Sequence, residues 1–307
     1  MKNPLRIALL AACVACVVGP GIPSTTLEAS SRPVAQQSSA CDRQCLTGVL
    51  ATYLNAMVAH NPRAVPTAAN FRFTEDMKEL KLGEGVWQSP IALGTYRMDF
   101  IDVRQGVAAV HAVLEENGMP ILFGARLKVI DGKLTEAETL VVRTQAESML
   151  FAPANLKTPS AEMLHVPTAA ERMSRDAMVA AAATYPEGLR IGSFVTADVP
   201  FAPNAYRFEN GVRMAGPGCT FQPPSCENMK TQRIPTLSGM RTRLVAVDEE
   251  MGQVVFMLRF GRGSLVGPQF EGKELVTFEA FKVYGGAIHA AEAVFKGLPI
   301  DASSGWD

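Results

Sequence analysis

Residues 127–143 read LKVIDGKLTEAETLVVR. Two alternating apolar/polar runs flank Asp131-Gly132, a pair that favours a two-residue β-hairpin turn. Residues 281–297 read FKVYGGAIHAAEAVFKG and repeat the pattern. Lys128 aligns with Lys282, Val129 with Val283, Gly132 with Gly286, Ala137 with Ala291 and Glu138 with Glu292. One hairpin thus occurs twice, each time closing a copy of the same unit. The period is too long for a solenoid. It predicts a tandem duplication of one α+β unit.

Outward from the first hairpin, Leu46, Leu50, Tyr53, Leu54 and Met57 follow helical spacing behind the candidate cap Asp42. Asn61-Pro62 ends that helix. A short strand is expected over 71–75, then a four-strand meander over 96–101, 107–114, 121–130 and 134–142. The second copy predicts a helix over 169–185 and a meander over 237–247, 253–260, 275–284 and 288–295. Residues 203–209, PNAYRFE, echo residues 68–75, AANFRFTE, which sets Arg207 against Arg72. The expected domains are 41–151 and 168–307, joined by a Pro-rich linker over 152–167.

The chain has 307 residues, a net charge of −1 and 19% charged residues, so it carries no basic face suited to nucleic acid. Residues 1–23 read as a signal peptide: Lys2 and Arg6 precede an apolar run over 7–18 that is too short to span a membrane. Residues 24–40 read as a flexible leader. The expected location is exported, periplasmic or extracellular. Leu10-Ala11-Ala12-Cys13 also fits a lipoprotein box, but an apolar run follows the cysteine, so an ordinary soluble exported form is preferred over a lipid anchor at Cys13. Beyond the signal remain Cys41, Cys45, Cys219 and Cys226. An even count in an exported chain points to disulfides. Three pairings are open, and the local ones, Cys41–Cys45 and Cys219–Cys226, are favoured. The spacing does not suit a zinc knuckle, and four scattered histidines do not suit a metal. No Gly-rich phosphate loop or nucleophile elbow is present, and no cofactor is expected.

One helix, an Arg-bearing strand and a meander carrying Asp131-Gly132-Lys133-Leu134 resemble the cone-shaped α+β fold of the nuclear transport factor 2 (NTF2)-like and SnoaL-like superfamily. The likeness covers residues 41–143 and 169–297. Cys41-Asp42-Arg43-Gln44-Cys45-Leu46, Arg72-Phe73-Thr74-Glu75, residues 82–87 and the terminal Ser304-Gly305-Trp306-Asp307 resemble, more narrowly, an uncharacterised secreted family of bacteria and fungi. The superfamily implies a curved, mostly antiparallel sheet over helices, enclosing an apolar pocket. It holds cofactor-free isomerases, cyclases and lyases beside proteins that only bind or dimerise, so the fold does not choose a function. Sheet-to-sheet pairing of the two copies inside one chain is implied, with a homodimer left open.

Two functions follow as expectations. The first is cofactor-free acid–base chemistry on a small apolar or aromatic molecule. Its catalytic set is His111, Tyr53 and Arg97, with Arg72, Phe73, Trp87, Tyr96 and Arg126 around the substrate. A near-neutral His suits proton transfer and an Arg suits oxyanion charge. The second is a non-catalytic binding or protein-interaction module. A lone His in the apolar run 107–113 is more often a core residue, and Arg72/Glu75 and Arg207/Glu209 can simply pin strands. The alternating Arg and Glu of the second copy, Arg241, Arg243, Arg259 and Glu279 among them, can ladder as charge pairs. The site is expected in the first copy, because the second helix stripe reads as mostly Ala and Met. The two functions part on one point: whether His111 and Tyr53 share a cavity.

Overall fold

The computed structural model describes residues 41–89, 91–221, 224–265, 267–303 and 305–306. The expected signal peptide and leader, with Cys13, lie outside them, as do Ser304 and Asp307. The described residues form one compact body.

The chain is α+β and holds the expected two tandem units. The first repeat runs α1 (Arg43–Val58), β1 (Thr67–Glu75), β2 (Lys78–Leu80), β3 (Ile91–Asp102), β4 (Val107–Glu116), β5 (Met119–Ile130) and β6 (Lys133–Val142). Two short helices, α2 (Gln145–Ser148) and α3 (Ala161–Leu164), lie in the connection. The second repeat runs α4 (Arg175–Ile191), β7 (Phe201–Glu209), β8 (Val212–Ala215), β9 (Arg241–Asp248), β10 (Gln253–Arg259), β11 (Lys273–Tyr284) and β12 (Ala287–Pro299). Sheet orders are β2-β1-β6-β5-β4-β3 and β8-β7-β12-β11-β10-β9, one topology twice. Each sheet is antiparallel except for one closing parallel pair, β1 with β6 and β7 with β12. This is the architecture that the NTF2-like resemblance implies.

Local chemistry sets the elements. Asp42 caps α1 by accepting from the Cys45 amide. Asp131 and Gly132 both adopt positive φ, as do Gly285 and Gly286, which is the backbone that a two-residue hairpin turn needs. The second helix departs from expectation. It starts at Arg175, because Ser174 caps it, and continues through Pro186 to a left-handed Gly192. Proline therefore sits inside this helix rather than ending it. Cys41–Cys45 and Cys219–Cys226 are both bridged.

The apolar residues form three cores. One lies between α1 and the first sheet, one between α4 and the second sheet. The third lies between the sheets: Met98, Phe100 and Leu140 meet Val255, Met257 and Phe278. Both faces of the central strands are therefore buried, and β4 is buried at eight consecutive positions. At Gly124 a Cβ would come within 2.9 Å of the Phe278 ring, so glycine permits the close approach of the two sheets.

A reciprocal pair of aspartates closes this seam. Asp102, at the end of β3, accepts from the Val247 amide at 2.9 Å and from both terminal nitrogens of Arg175 at 2.6 and 2.9 Å. Asp248, at the end of β9, accepts from the Ile101 amide at 2.9 Å and from Arg43. Arg43 and Arg175 are the first residues of α1 and α4. Each repeat thus sends a helix-starting arginine to the other's aspartate, the isologous pattern of a two-fold dimer inside one chain. Both aspartates are fully buried.

Removing one partner of a buried ion pair strands the other charge. Arg175→Ala should therefore cost ~3–5 kcal/mol in urea unfolding. Arg104→Ala, which removes an exposed pair with Glu249, should cost no more than ~1 kcal/mol. Equal losses in the two variants would refute the clasp.

Candidate functional site

The structure disperses the residues that the sequence grouped. Tyr53, Phe73 and Trp87 pack inside the first repeat. Trp87 meets Tyr53 edge-on at 5.1 Å, and its Nε1 donates to the Tyr53 hydroxyl at 3.4 Å. All three are at most 1% exposed. Burial raises the Tyr53 hydroxyl far above its ordinary pKa, so it stays protonated.

His111 lies across the sheet from Tyr53. Residues 108, 110 and 112 of β4 face α1 and Tyr53, while 107, 109 and 113 face the seam. His111 has the second parity, as the alternation predicted. It sits edge-on to Phe100 at 5.1 Å, and its buried Nε2 has no hydrogen-bond partner. Burial alone lowers its pKa to about 3. The seam cavity beside it, lined also by Tyr96, Leu156, Phe208 and Glu292, measures about 10 Å³, room for roughly one water. Arg97 has the parity of Ile101, which faces α1, and pairs with Asp99 at 2.7 Å. The set His111, Tyr53 and Arg97 therefore does not converge.

The remaining residues sit along the seam. Tyr96 donates to Glu292 at 2.9 Å from inside it. Tyr206 donates to the other Glu292 oxygen at 2.8 Å. Burial raises the pKa of Glu292 against these bonds. Arg72 binds Glu79 and the Gly305 carbonyl, both at 2.9 Å, and stacks 4.3 Å from the Trp306 ring. Arg126 pairs with Glu136 at 2.6 Å.

Strand register explains why the echo of Arg72 misled. Phe73 pairs with Ala137 and Arg207 with Ala291. Ala137 and Ala291 are equivalent, so Arg207 stands in the place of Phe73, and Tyr206 in the place of Arg72. A shift of one residue turns a side chain to the other face. Arg72 points to the seam, whereas Arg207 points between α4 and the concave face of the second sheet, the second cone of the expected fold.

That cone holds the polar constellation which the sequence reading missed. Tyr185, on α4, occupies the helix position of Tyr53, counted from Arg175 and Arg43. Arg207 donates to the Tyr185 hydroxyl at 3.1 Å and pairs with Glu209 at 2.8 Å. Glu279 faces the same Tyr185 hydroxyl, which helps to hold its pKa down. Gln232, from the loop that carries the second disulfide, lies 3.5 Å from Arg207. Glu279 is 2% exposed and stands where the first repeat has Ala125, since they pair with the equivalent Ala293 and Thr139. Burial raises its pKa to about 8, helped by the charge of Glu209 and opposed by Arg207 and Tyr185. Glu279 Oε1 and Gln232 Nε2 are buried without partners. Aromatic rings pack around the tyrosine: Phe194 stacks on Tyr185 at 4.9 Å and Phe281 meets it at 5.0 Å. The cue in the sequence was Glu279 within an apolar strand. Tyr185 is the last residue of the helix expected over 169–185, but the apolar stripe, read from Met and Ala alone, leaves the tyrosine out. Among the described residues, no cluster of His, Cys, Asp and Glu could hold a metal.

A family described as Domain of unknown function (DUF8021) matches residues 171–295, the stretch that contains this constellation. A search of curated proteins finds no match. Among solved structures, an NTF2-like protein of unknown function from Cytophaga hutchinsonii aligns at 14% identity and a TM-score of 0.27, covering 31% of this chain and 88% of its own. A de novo designed protein with a curved β-sheet aligns at 15% identity and 0.27, covering 33% and 87%. A protein provisionally assigned as a ketosteroid isomerase, from Kribbella flavida, aligns at 12% identity and 0.27, covering 41% and 93%.

His111 supplies a pH test of its place in the seam. Its folded pKa lies below the unfolded value near 6.5, so its stabilising share is present above that pH and is lost as pH falls towards 3. At pH 4.5 the loss should be roughly 2–3 kcal/mol relative to pH 7. The second repeat has Met257 at the equivalent position, for both pair with residues 124 and 278 of the matching strand. His111→Met should abolish that part of the pH dependence in urea titrations. An unchanged slope would place His111 in contact with solvent.

Proposed function

We propose that this protein binds a small, mostly apolar molecule bearing a hydrogen-bonding oxygen, and that the second cone is its site. One observation carries the reading: Glu279 is a fully buried carboxyl group, protonated at neutral pH, with one oxygen unpartnered. Perturbed, under-satisfied acids concentrate at functional sites, because a stable core has no use for them. In the roles proposed, Glu279 donates to the ligand oxygen and Tyr185 orients the acid. Arg207, held by Glu209, supplies positive charge behind the tyrosine. A carboxyl group titrating near 8 is suited to deliver a proton to a carbonyl or enolate oxygen at neutral pH. Cofactor-free isomerisation, cyclisation or cleavage is the reaction class within reach of such a site.

In the first repeat, the separation of Tyr53 from His111 favours a packing role over turnover. Two disulfides suit an oxidising compartment and support export to the periplasm or exterior. Among the described residues, no helix is long and apolar enough to cross a membrane. The domain boundary is proposed within 152–167.

Glu279→Leu and Glu279→Gln test the site against a panel of aromatic ketones and phenols, by ligand-observed NMR and thermal shift. Glu279→Leu should raise the melting temperature and abolish binding, the exchange of function for stability expected at an active site. Glu279→Gln should remove a stability slope. The raised pKa means that the wild-type contribution is complete below the unfolded value near 4.5 and is lost as pH rises through 8. Destabilisation by Glu279→Leu, with ligand binding intact, would make the acid structural.

A further inference from the structure

The two repeats differ most in one loop. In the first, residues 81–90 join β2 to β3 and pack Trp87 against the Tyr53 hydroxyl. In the second, residues 216–240 join β8 to β9, and none of those described lies in a helix or strand. The Cys219–Cys226 bridge staples this loop, and the Leu237 amide ties its end to the Leu189 carbonyl on α4. A turn at Asn228 sets its middle. The Asn228 side chain accepts from the Lys230 and Thr231 amides, and its backbone carbonyl accepts from the Gln232 amide. Gln232 is thereby held against Arg207, with only 8% of it exposed. The first helix tyrosine meets an indole, whereas its equivalent meets a guanidinium backed by a carboxamide.

The second arrangement is a polar chain with two open ends. Glu279 faces the Tyr185 hydroxyl. Arg207 Nη1 donates to that hydroxyl at 3.1 Å, and Arg207 Nη2 lies 3.5 Å from Gln232 Oε1. Glu279 Oε1 begins the chain and Gln232 Nε2 ends it, and among the described residues neither atom has a partner. The direction of the carboxamide is not free. A guanidinium only donates, so the Gln232 oxygen must face Arg207 and its NH2 group must face away. A buried N–H without an acceptor is costly. An apolar side chain of similar length would avoid that cost, and Met229 shows that the same loop can bury one in this core.

We propose that Gln232 is a specificity-determining residue of the second cone, whose amide donates to a second oxygen of the ligand. The inference rests on the reading of that cone as a ligand site, and it narrows the ligand class. Glu279 binds one oxygen. Tyr185 and Arg207 stand between Glu279 and Gln232 in the chain of contacts, so the amide meets a different oxygen. That oxygen must accept, as a carbonyl, hydroxyl or ether does. The ligand is then an apolar or aromatic frame with two separate oxygen functions, a hydroxy ketone or a diketone, rather than a simple ketone or phenol. A site built to donate to an oxygen discriminates against the analogue that lacks it, because its own donor is then left unpaired.

Acetophenone, with one oxygen, and meta- and para-hydroxyacetophenone, with two, are the probes, titrated into the full chain by ligand-observed NMR. At least one hydroxyacetophenone should bind wild type about tenfold more tightly than acetophenone. Gln232→Glu keeps an oxygen towards Arg207 and removes the donor, and Gln232→Met removes both polar atoms. Each should erase the preference and leave acetophenone affinity unchanged. Two variants of different polarity keep the test independent of a folding defect in either. Glu279→Leu should abolish binding of all three ligands, which tests the cone itself. Three outcomes would overturn this inference and leave the cone reading standing. These are equal affinities of the three ligands for wild type, a preference that survives both Gln232 variants, or a loss as large for acetophenone as for the hydroxyacetophenones. Absence of binding by all three at millimolar concentration would overturn both.

Discussion

Everything in this protein hangs on burying two aspartates at the place where two sheets meet. Asp102 and Asp248 are each satisfied by a backbone amide and an arginine of the opposite repeat. A buried carboxylate lacking such partners would be costly. The repeats are therefore obliged to dock in one orientation, because only that orientation brings Val247 to Asp102 and Ile101 to Asp248. Apolar area supplies the drive for docking, and the aspartates supply its register. Gly124 then sets how closely the sheets approach.

Docking in this way changes what each residue can do. A sheet that ordinarily offers one face to a core here buries both. His111 and Tyr96 become interior groups of a sheet sandwich, distant in chemical terms from Tyr53. Duplication also frees the two copies to diverge. The first cone has filled its interior with Phe73, Trp87 and aliphatic residues. The second has kept the helix tyrosine and added Arg207 and Glu279 in positions held by Phe73 and Ala125.

Most of the architecture was legible because it rests on local signals. Positive-φ turns at Asp131-Gly132 and Gly285-Gly286 fixed both closing hairpins, and alternation located the strands. Asp42 and the α1 stripe placed the first helix. Short sequence separation led to the right disulfides. The site was far less legible. Alternation gave the parity of His111 but could not say which buried face belonged to α1, since β4 is apolar on both. The Arg72–Arg207 echo was a match of letters one residue out of register, and one residue is the difference between two faces. Tyr185 lay inside the expected helix but outside the Met and Ala stripe read on it, and the helix runs on through Pro186. Glu279 was noticed only as a charge in a strand. Its consequence depends on burial and on Glu209 and Arg207, none of which adjacency in the chain reveals.

The central claim is that two repeats behave as one cooperative body because the aspartate clasp couples them. Native-state hydrogen exchange in low guanidinium chloride measures this directly. Amides of Met119–Ile130 in the first repeat and Lys273–Tyr284 in the second lie on equivalent central strands of the two sheets. If the clasp couples the repeats, both strands exchange through the same global opening, with one free energy and one denaturant dependence. Two separate isotherms, with one repeat opening while the other stays protected, would contradict the account.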